Sequence, residues 1–200
     1  MRNILPAFLI IMLLAACAKK APVPKGGLQT GPSYFPVKKY MIDQYYLYAG
    51  QPYPLYKIVT AHHKTDSTLT NMLQMDFADV FLPFAKGDIS DTVFLGQYQG
   101  SDFVDEATGN RTIIYTAKDP KLYNQMTQIT IDGVTGKPAS IFVKNVAQER
   151  SGMKTQQATY IPHSYLQILE DVDGAKPGEG TIQTEYRFLQ DNTNDEGTVQ

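Results

Sequence analysis

Residues 181–189 read TIQTEYRFL, and the alternation in this stretch decides the class of fold. In an extended chain successive side chains point to opposite faces, so every second residue shares one face. One face of this segment then carries Ile182, Thr184, Tyr186 and Phe188, and the other carries Gln183, Glu185 and Arg187. Such alternation is typical of an antiparallel strand that buries one face and exposes the other to water.

Several segments upstream show a similar strand signal, and turn residues separate them. Asp119-Pro120, Asp132-Gly133 and Asp173-Gly174 are typical turn pairs. The further strands are predicted at residues 54–63, 111–117, 125–132, 137–145, 154–160 and 165–170. The run from residue 111 onward predicts an antiparallel meander.

The segment 66–84 carries the clearest helical pattern. Its apolar residues follow a spacing of three and four: Leu69, Met72, Leu73, Phe77, Val80, Phe81 and Phe84. Asp66 or Ser67 is suited to cap the N-terminus, and Gly87 follows the last turn. We therefore expect one helix over residues 66–82, with Pro83 causing a kink or an early stop near Phe81.

Residues 37–49 show a second helical spacing, although their tyrosine content also fits a strand. Helices in the front half and strands in the back half predict an α+β fold. We expect N-terminal helices packed on a curved antiparallel β-sheet, forming a single globular domain over residues 37–190.

Composition excludes several classes of function. The 200 residues carry 18 basic and 20 acidic side chains, which leaves no broad positive surface for nucleic acid. The single cysteine excludes an intramolecular disulfide and a cysteine-cluster metal site. With 42% hydrophobic and 19% charged residues, the chain is typical of a globular protein.

The N-terminus is typical of a signal peptide. Met1-Arg2-Asn3 is a short positive start, and residues 4–16 (ILPAFLIIMLLAA) carry no charge. A membrane-spanning helix needs about 20 apolar residues, so this run is too short to be one. It fits the apolar core of a signal peptide over residues 1–16.

Leu14-Ala15-Ala16-Cys17 closes this run and resembles the lipobox of bacterial lipoproteins. The resemblance implies recognition of Leu14, Ala15 and Ala16 by the signal peptidase and cleavage before Cys17. It also implies a diacylglyceryl thioether on Cys17 and acylation of the new amino terminus, for example by palmitate. The alternative is an ordinary secretory signal with a chance cysteine.

The same resemblance implies where the protein is anchored. Residue 18 is alanine, not the aspartate that signals inner-membrane retention in such lipoproteins. We therefore expect attachment to the outer membrane, facing the periplasm. Residues 17–36, rich in proline, glycine and lysine, are predicted to be the lipidated cysteine and a flexible tether. Residues 191–200 are predicted to be a disordered acidic tail.

The candidate catalytic and metal-binding side chains are few. His62 and His63 are adjacent in a predicted strand, so they point to opposite faces and do not easily share a metal. His163 lies far along the chain, and no G-x-S-x-G nucleophile motif occurs. We therefore predict no catalytic residue, no metal and no cofactor, and an unrecognised hydrolase stays the minor alternative.

Tyrosine is the most unevenly distributed residue, with seven of the 13 between residues 34 and 56. Tyrosine combines an apolar ring with a polar tip, which suits a binding surface for a sugar or a protein partner. The alternative is that these rings belong to the core and its rim. The predicted binding patch consists of Tyr40, Tyr45, Tyr48, Tyr53 and Tyr56.

Lipobox, tether and predicted architecture together resemble a broad group of small envelope lipoproteins. We therefore expect a non-enzymatic, membrane-anchored envelope lipoprotein that binds a protein partner or has an assembly or structural role. The alternative is a lipid or lipoprotein carrier similar to the LolA/LolB half-barrels, in which helices and a curved sheet enclose an apolar cavity.

Overall fold

The computed structural model describes residues 34–49, 51–150, 152–173 and 180–189. The predicted signal peptide, Cys17, most of the predicted tether and the predicted acidic tail lie outside the described residues. Within them, the chain forms an antiparallel sheet of nine strands and two α-helices that share one hydrophobic core. Neither of these helices is long and apolar enough to span a membrane.

The elements follow one another along the chain with two short 3₁₀ turns, Met72–Gln74 and Thr92–Phe94. The helices are α1 (Val37–Tyr48) and α2 (Phe77–Lys86). The strands are β1 (Pro54–Ala61), β2 (Lys64–Asn71), β3 (Tyr98–Val104), β4 (Arg111–Ala117), β5 (Asn124–Ile131), β6 (Pro138–Glu149), β7 (Gly152–Ile161), β8 (Tyr165–Val172) and β9 (Thr181–Phe188).

The sheet has the order β2-β1-β9-β8-β7-β6-β5-β4-β3. Strands β3 to β9 form a continuous meander, in which β4 to β9 were expected from the repeated strand signal and β3 was not, and β9 then pairs with β1. The β1–β2 hairpin therefore occupies one edge of the sheet and β3 the other. The chain travels between the two edges through α2, which crosses the sheet.

The prediction of one helix over residues 66–82 is wrong in its first half. Residues up to Asn71 belong to β2, where Leu69 lies opposite Tyr56 of β1. Leu69 and Leu73 are 60% and 59% exposed, so neither belongs to a buried stripe. A spacing of four residues keeps two side chains on one face of a helix and also on one face of a strand. The leucine spacing therefore fits either a helix or a strand. Pairing with β1 makes the segment up to Asn71 a strand.

The second half of that prediction is confirmed, because α2 begins at Phe77. The side chain of Asp76 caps it by accepting a hydrogen bond of 3.0 Å from the Ala78 N–H. The helix continues through Pro83 to Lys86 instead of stopping near Phe81. A strand before this helix was expected from residues 54–63 and is found as β1, whereas the second strand of the hairpin, β2, was not predicted.

Helix α1 is confirmed, and it starts without a cap from its own sequence. The carboxylate of Asp88, just beyond α2, accepts a hydrogen bond of 2.8 Å from the Lys38 N–H. The two helices are therefore linked at this point as well as through their apolar side chains. The first N–H groups of a helix have no acceptor within the helix, and Asp88 supplies one for the N–H of Lys38.

The core lies between the two helices and one face of the sheet. The helices contribute Val37, Met41, Tyr48, Val80, Phe81 and Phe84. The sheet contributes Leu55, Ile129, Ile141, Val143, Ala158, Tyr160, Leu166, Ile168 and Tyr186. On β9, the buried Tyr186 belongs to the face that the alternation of residues 181–189 predicts.

The prediction that His62 and His63 lie in a strand is wrong. Strand β1 ends at Ala61, which pairs with Lys64, so the two histidines form a two-residue hairpin turn. Their φ angles are 51° and 61°. Two positive φ values are characteristic of a type I′ turn, which matches the twist of the flanking strands.

Tyr34 and Phe35, at the end of the predicted tether, lie against the folded part of the chain. The Tyr34 hydroxyl accepts hydrogen bonds from the N–H groups of Gly96 (3.1 Å) and Tyr98 (3.3 Å). Its ring centroid lies 5.1 Å from that of Tyr115 on β4. These contacts attach the start of the described chain to the β3 edge of the sheet.

Candidate functional site

An aromatic pocket opens where the C-terminal end of α1 meets the start of β1 and the end of β9. Its volume is about 650 Å³. We call this site the aromatic pocket; it is lined by Tyr48, Gln51, Pro52, Tyr53, Pro54, His163, Phe188 and Leu189. Two members of the predicted tyrosine patch, Tyr48 and Tyr53, meet here.

Tyr48 is the centre of the aromatic pocket. Its ring centroid lies 5.5 Å from Tyr53, 5.4 Å from His163 and 5.3 Å from Phe188. Only 2% of Tyr48 is exposed, so the ring joins the pocket wall to the core. The pocket is thus built on a fixed residue of α1, while Tyr53 lies at the open side.

A pair of contacts between Tyr48 and His163 holds the loop between β7 and β8. The Tyr48 hydroxyl accepts a hydrogen bond of 3.2 Å from the His163 N–H and lies 3.0 Å from its Nδ1. Burial raises the pKa of the Tyr48 phenol, which keeps the hydroxyl protonated and able to donate to Nδ1. The backbone of His163 has a φ of 57°, and these contacts hold it in that left-handed conformation.

The other three tyrosines of the predicted patch lie elsewhere. Tyr45 packs between the helices, with its ring centroid 5.5 Å from Phe77. Tyr40 is half-buried beside Phe35. Tyr56 is exposed and lies on the opposite face of β1 from the buried Leu55. The structure therefore brings together two of the five predicted residues.

A second concavity, which the sequence did not reveal, runs beside α2 on the same face of the sheet. We call it the polar groove; its volume is about 560 Å³. One wall is α2, through Ala78, Leu82 and Lys86, and the floor includes Asn145, Lys154, Gln156, Glu170, Thr184 and Tyr186. One sequence feature could have indicated this groove. Along residues 154–160, the side chains of the inward face change from polar to apolar within one strand.

The floor of the polar groove carries an ion pair. Lys154 Nζ lies 2.8 Å from Glu170 Oε1, and each side chain is 27% exposed. Gln156 Nε2 donates a further hydrogen bond of 2.7 Å to the same oxygen. The hydrogen bond with Glu170 raises the pKa of Lys154, so the Lys154 ammonium group stays charged at neutral pH.

The three histidines are not brought together. His62 and His63 form the turn at the far end of β1, whereas His163 lies at the aromatic pocket next to Pro54, where β1 begins. Among the described side chains, no three histidine, cysteine, aspartate or glutamate residues are grouped so that they could hold a metal ion.

Comparisons with known proteins leave the site to be interpreted from its own geometry. No family model matches the chain, and neither a curated protein nor a solved structure matches it. The function proposed below therefore depends on the lipobox and on the two concavities described above.

Proposed function

We propose that this chain is a non-enzymatic, lipid-anchored protein of the bacterial envelope that binds a partner protein through the aromatic pocket. The observation that carries the proposal is the convergence of Tyr48, Tyr53, His163 and Phe188 around an open pocket. In this proposal a signal peptide and a tether from Cys17 precede a curved sheet capped by helices.

The chemistry of the aromatic pocket suits an apolar side chain of a partner. Tyrosine rings and prolines supply apolar walls, and the phenol and imidazole groups supply polar tips. Residues of this kind dominate the energetics of many protein interfaces. The contacts between Tyr48 and His163 order the pocket in advance, which lowers the entropic cost of binding.

The alternative function, a LolA/LolB-like carrier, receives less support from the two concavities. An acyl chain requires an apolar enclosure, because burying polar groups without partners is unfavourable. The polar groove has the ion pair of Lys154 and Glu170 in its floor. The aromatic pocket is more apolar, but it is open to solvent and lies at one end of the sheet.

The anchor is tested by metabolic labelling with a radioactive or alkyne-tagged fatty acid. The wild-type protein is expected to incorporate the label and to fractionate with outer membranes. The Cys17→Ala variant is expected to lose the label, whereas Thr30→Ala in the predicted tether keeps it. Equal labelling of Cys17→Ala and wild type would refute lipid attachment at Cys17.

The partner site is tested by placing a photo-crosslinking amino acid at Tyr53 of the full-length protein in cells. The matched control carries the same group at Tyr46, which is 71% exposed on α1 and does not line the aromatic pocket. We expect a discrete, protease-sensitive adduct from position 53 only. An adduct with the mass of a lipid would support the carrier instead, and equal adducts from both positions would refute the pocket as the partner site.

A further inference from the structure

The inward face of the sheet changes character along individual strands. On β7, Ala158 and Tyr160 are buried in the core, whereas Gln156 and Lys154 of the same face line the polar groove. On β8, Glu170 likewise lies beyond the buried inward positions. Polar side chains thus occupy the inward positions of β7 and β8 that line the polar groove.

The polar groove extends along α2 and across the sheet. Its wall residues Ala78, Leu82 and Lys86 are spaced by four, so they form one stripe along α2. Its floor crosses five adjacent strands, from β6 to β1, which corresponds to roughly 19 Å at the usual spacing between strands. The volume of about 560 Å³ is within the range of small-molecule sites.

The backbone of the floor is not available for recognition. Strands β6, β7, β8, β9 and β1 pair with one another without interruption at the groove. A peptide therefore has no free strand edge on which to form main-chain hydrogen bonds, which is the usual way an extended peptide binds a sheet. Recognition in the polar groove must come from side chains.

These side chains combine charged donors, charged acceptors and neutral groups that do both. Lys57 and Lys86 supply ammonium groups, and neither lies within 4 Å of a carboxylate among the described side chains. Glu149 and Glu170 supply acceptors, and Thr184 supplies a hydroxyl. A ligand that satisfies such a set must itself carry many groups that both donate and accept.

Two tyrosine rings also line the polar groove. Tyr186 lies in the floor, with Lys57 Nζ 5.7 Å from its ring centroid, and Tyr123 lines the end of the groove near β6. Tyr186 is only 3% exposed, so the flat apolar surface that the groove offers comes from Tyr123, which is 36% exposed. Sugar rings present hydroxyls at their edges and apolar C–H groups on their faces, which is complementary to this arrangement.

We propose that the polar groove binds a short saccharide. The site is separate from the aromatic pocket, and the inference does not depend on the proposed partner protein. The ion pair of Lys154 and Glu170 in the floor disfavours an acyl chain, and the paired backbone disfavours an extended peptide. Side-chain hydrogen bonds along a groove of this length suit an oligosaccharide.

The test is calorimetric titration of the purified full-length protein in detergent with three trisaccharides: maltotriose, N-acetylchitotriose and trigalacturonate. We expect at least one of them to bind at millimolar concentration or below. Binding of hexaglutamate with no binding of any trisaccharide would overturn the proposal, and so would the absence of binding by all four probes.

Variants locate the site. Lys86→Met and Thr184→Val are expected to weaken saccharide binding about tenfold, which corresponds to ~1.4 kcal/mol. Lys64→Met, an exposed lysine on β2 outside the groove, is the matched control and is expected to leave binding unchanged. Unchanged affinity in both groove variants, or loss of binding in Tyr53→Ser alone, would overturn the assignment to the polar groove.

Discussion

The side-chain amide of Asn145 donates a hydrogen bond of 2.9 Å to the main-chain carbonyl of Pro83. Asn145 is an inward residue of β6 and is 1% exposed, so this bond attaches α2 to the sheet from within. Asn124 donates in turn to the Asn145 side-chain oxygen at 3.2 Å. Buried polar groups that satisfy one another in this way fix a unique arrangement, because any displacement leaves a group unpaired.

Gly87 lies against this network, and we predict that Gly87→Ala is destabilising. The φ angle of Gly87 is −83°, so the backbone tolerates alanine. The added Cβ, however, would lie 2.6 Å from the Asn145 side-chain oxygen. We expect a loss of about 1–3 kcal/mol in the free energy of unfolding, measured in urea. Gly100→Ala is the control, because its Cβ would meet nothing closer than 3.8 Å; equal losses would contradict the steric explanation.

The corrected boundary of α2 is tested with Phe81→Ala and Leu73→Ala. Phe81 is 1% exposed and its ring contacts Tyr160, with the centroids 5.8 Å apart. We expect its removal to cost about 3–5 kcal/mol of unfolding free energy, because it leaves a cavity. Because Leu73 is 59% exposed, Leu73→Ala is expected to change the free energy of unfolding by no more than roughly 0.5 kcal/mol. Similar losses for the two variants would restore the longer helix predicted from the leucine spacing.

The β1–β2 turn offers a stabilising change. His62 and His63 both have positive φ, a conformation that is unfavourable for most side chains. Asparagine followed by glycine is the preferred pair in a type I′ turn. The double variant His62→Asn/His63→Gly is expected to raise the unfolding free energy by about 1 kcal/mol. Thermal unfolding measures the gain.

His163→Gly is the comparison for the hairpin prediction. It relieves the same kind of backbone conformation but also removes the imidazole that faces the Tyr48 hydroxyl. We therefore expect it to stabilise less than the hairpin variant, or to destabilise. A gain equal to that of the hairpin variant would show that the contact between Tyr48 and His163 contributes little to stability.

The burial of Tyr40 leads us to predict that the protein loses stability at alkaline pH. Burial raises the pKa of its phenol from 10.0 to about 12. In the unfolded chain this phenol ionises near its ordinary pKa of about 10. Below that pH the phenol is protonated in both states, and the stability of the folded state is not reduced by its ionisation. Stability is therefore expected to fall as the pH rises from about 10 to about 12.

The variant Tyr40→Phe isolates this contribution. At pH 11 it is expected to be about 1 kcal/mol more stable relative to wild type than it is at pH 8, measured by urea unfolding. The matched control is Tyr46→Phe, whose ring is largely exposed on the same helix. An identical pH dependence in Tyr40→Phe and wild type would contradict the role of Tyr40.

The meander strands from β4 onward, the helix α1 and the part of the chain that forms α2 could be predicted because their signal is local. A strand with one buried face shows the alternation seen in residues 181–189, whatever its neighbours are. β3 gave no such signal, because it is an edge strand in which only Tyr98 is buried. β2 was hidden for a related reason: its exposed Leu69 matched the spacing of the helix that follows.

The sequence by itself determined the alternation of the meander strands, turns such as Asp132-Gly133 and the composition of this protein, since these properties depend on neighbouring residues alone. Only the tertiary structure decided the two concavities. Tyr48 meets His163 across 115 positions of sequence, and Lys154 meets Glu170 because β7 and β8 pair in one particular register. A local pattern fixes which residues of a strand share a face, but the partner strand and the path of α2 over the sheet depend on the packing of the whole core.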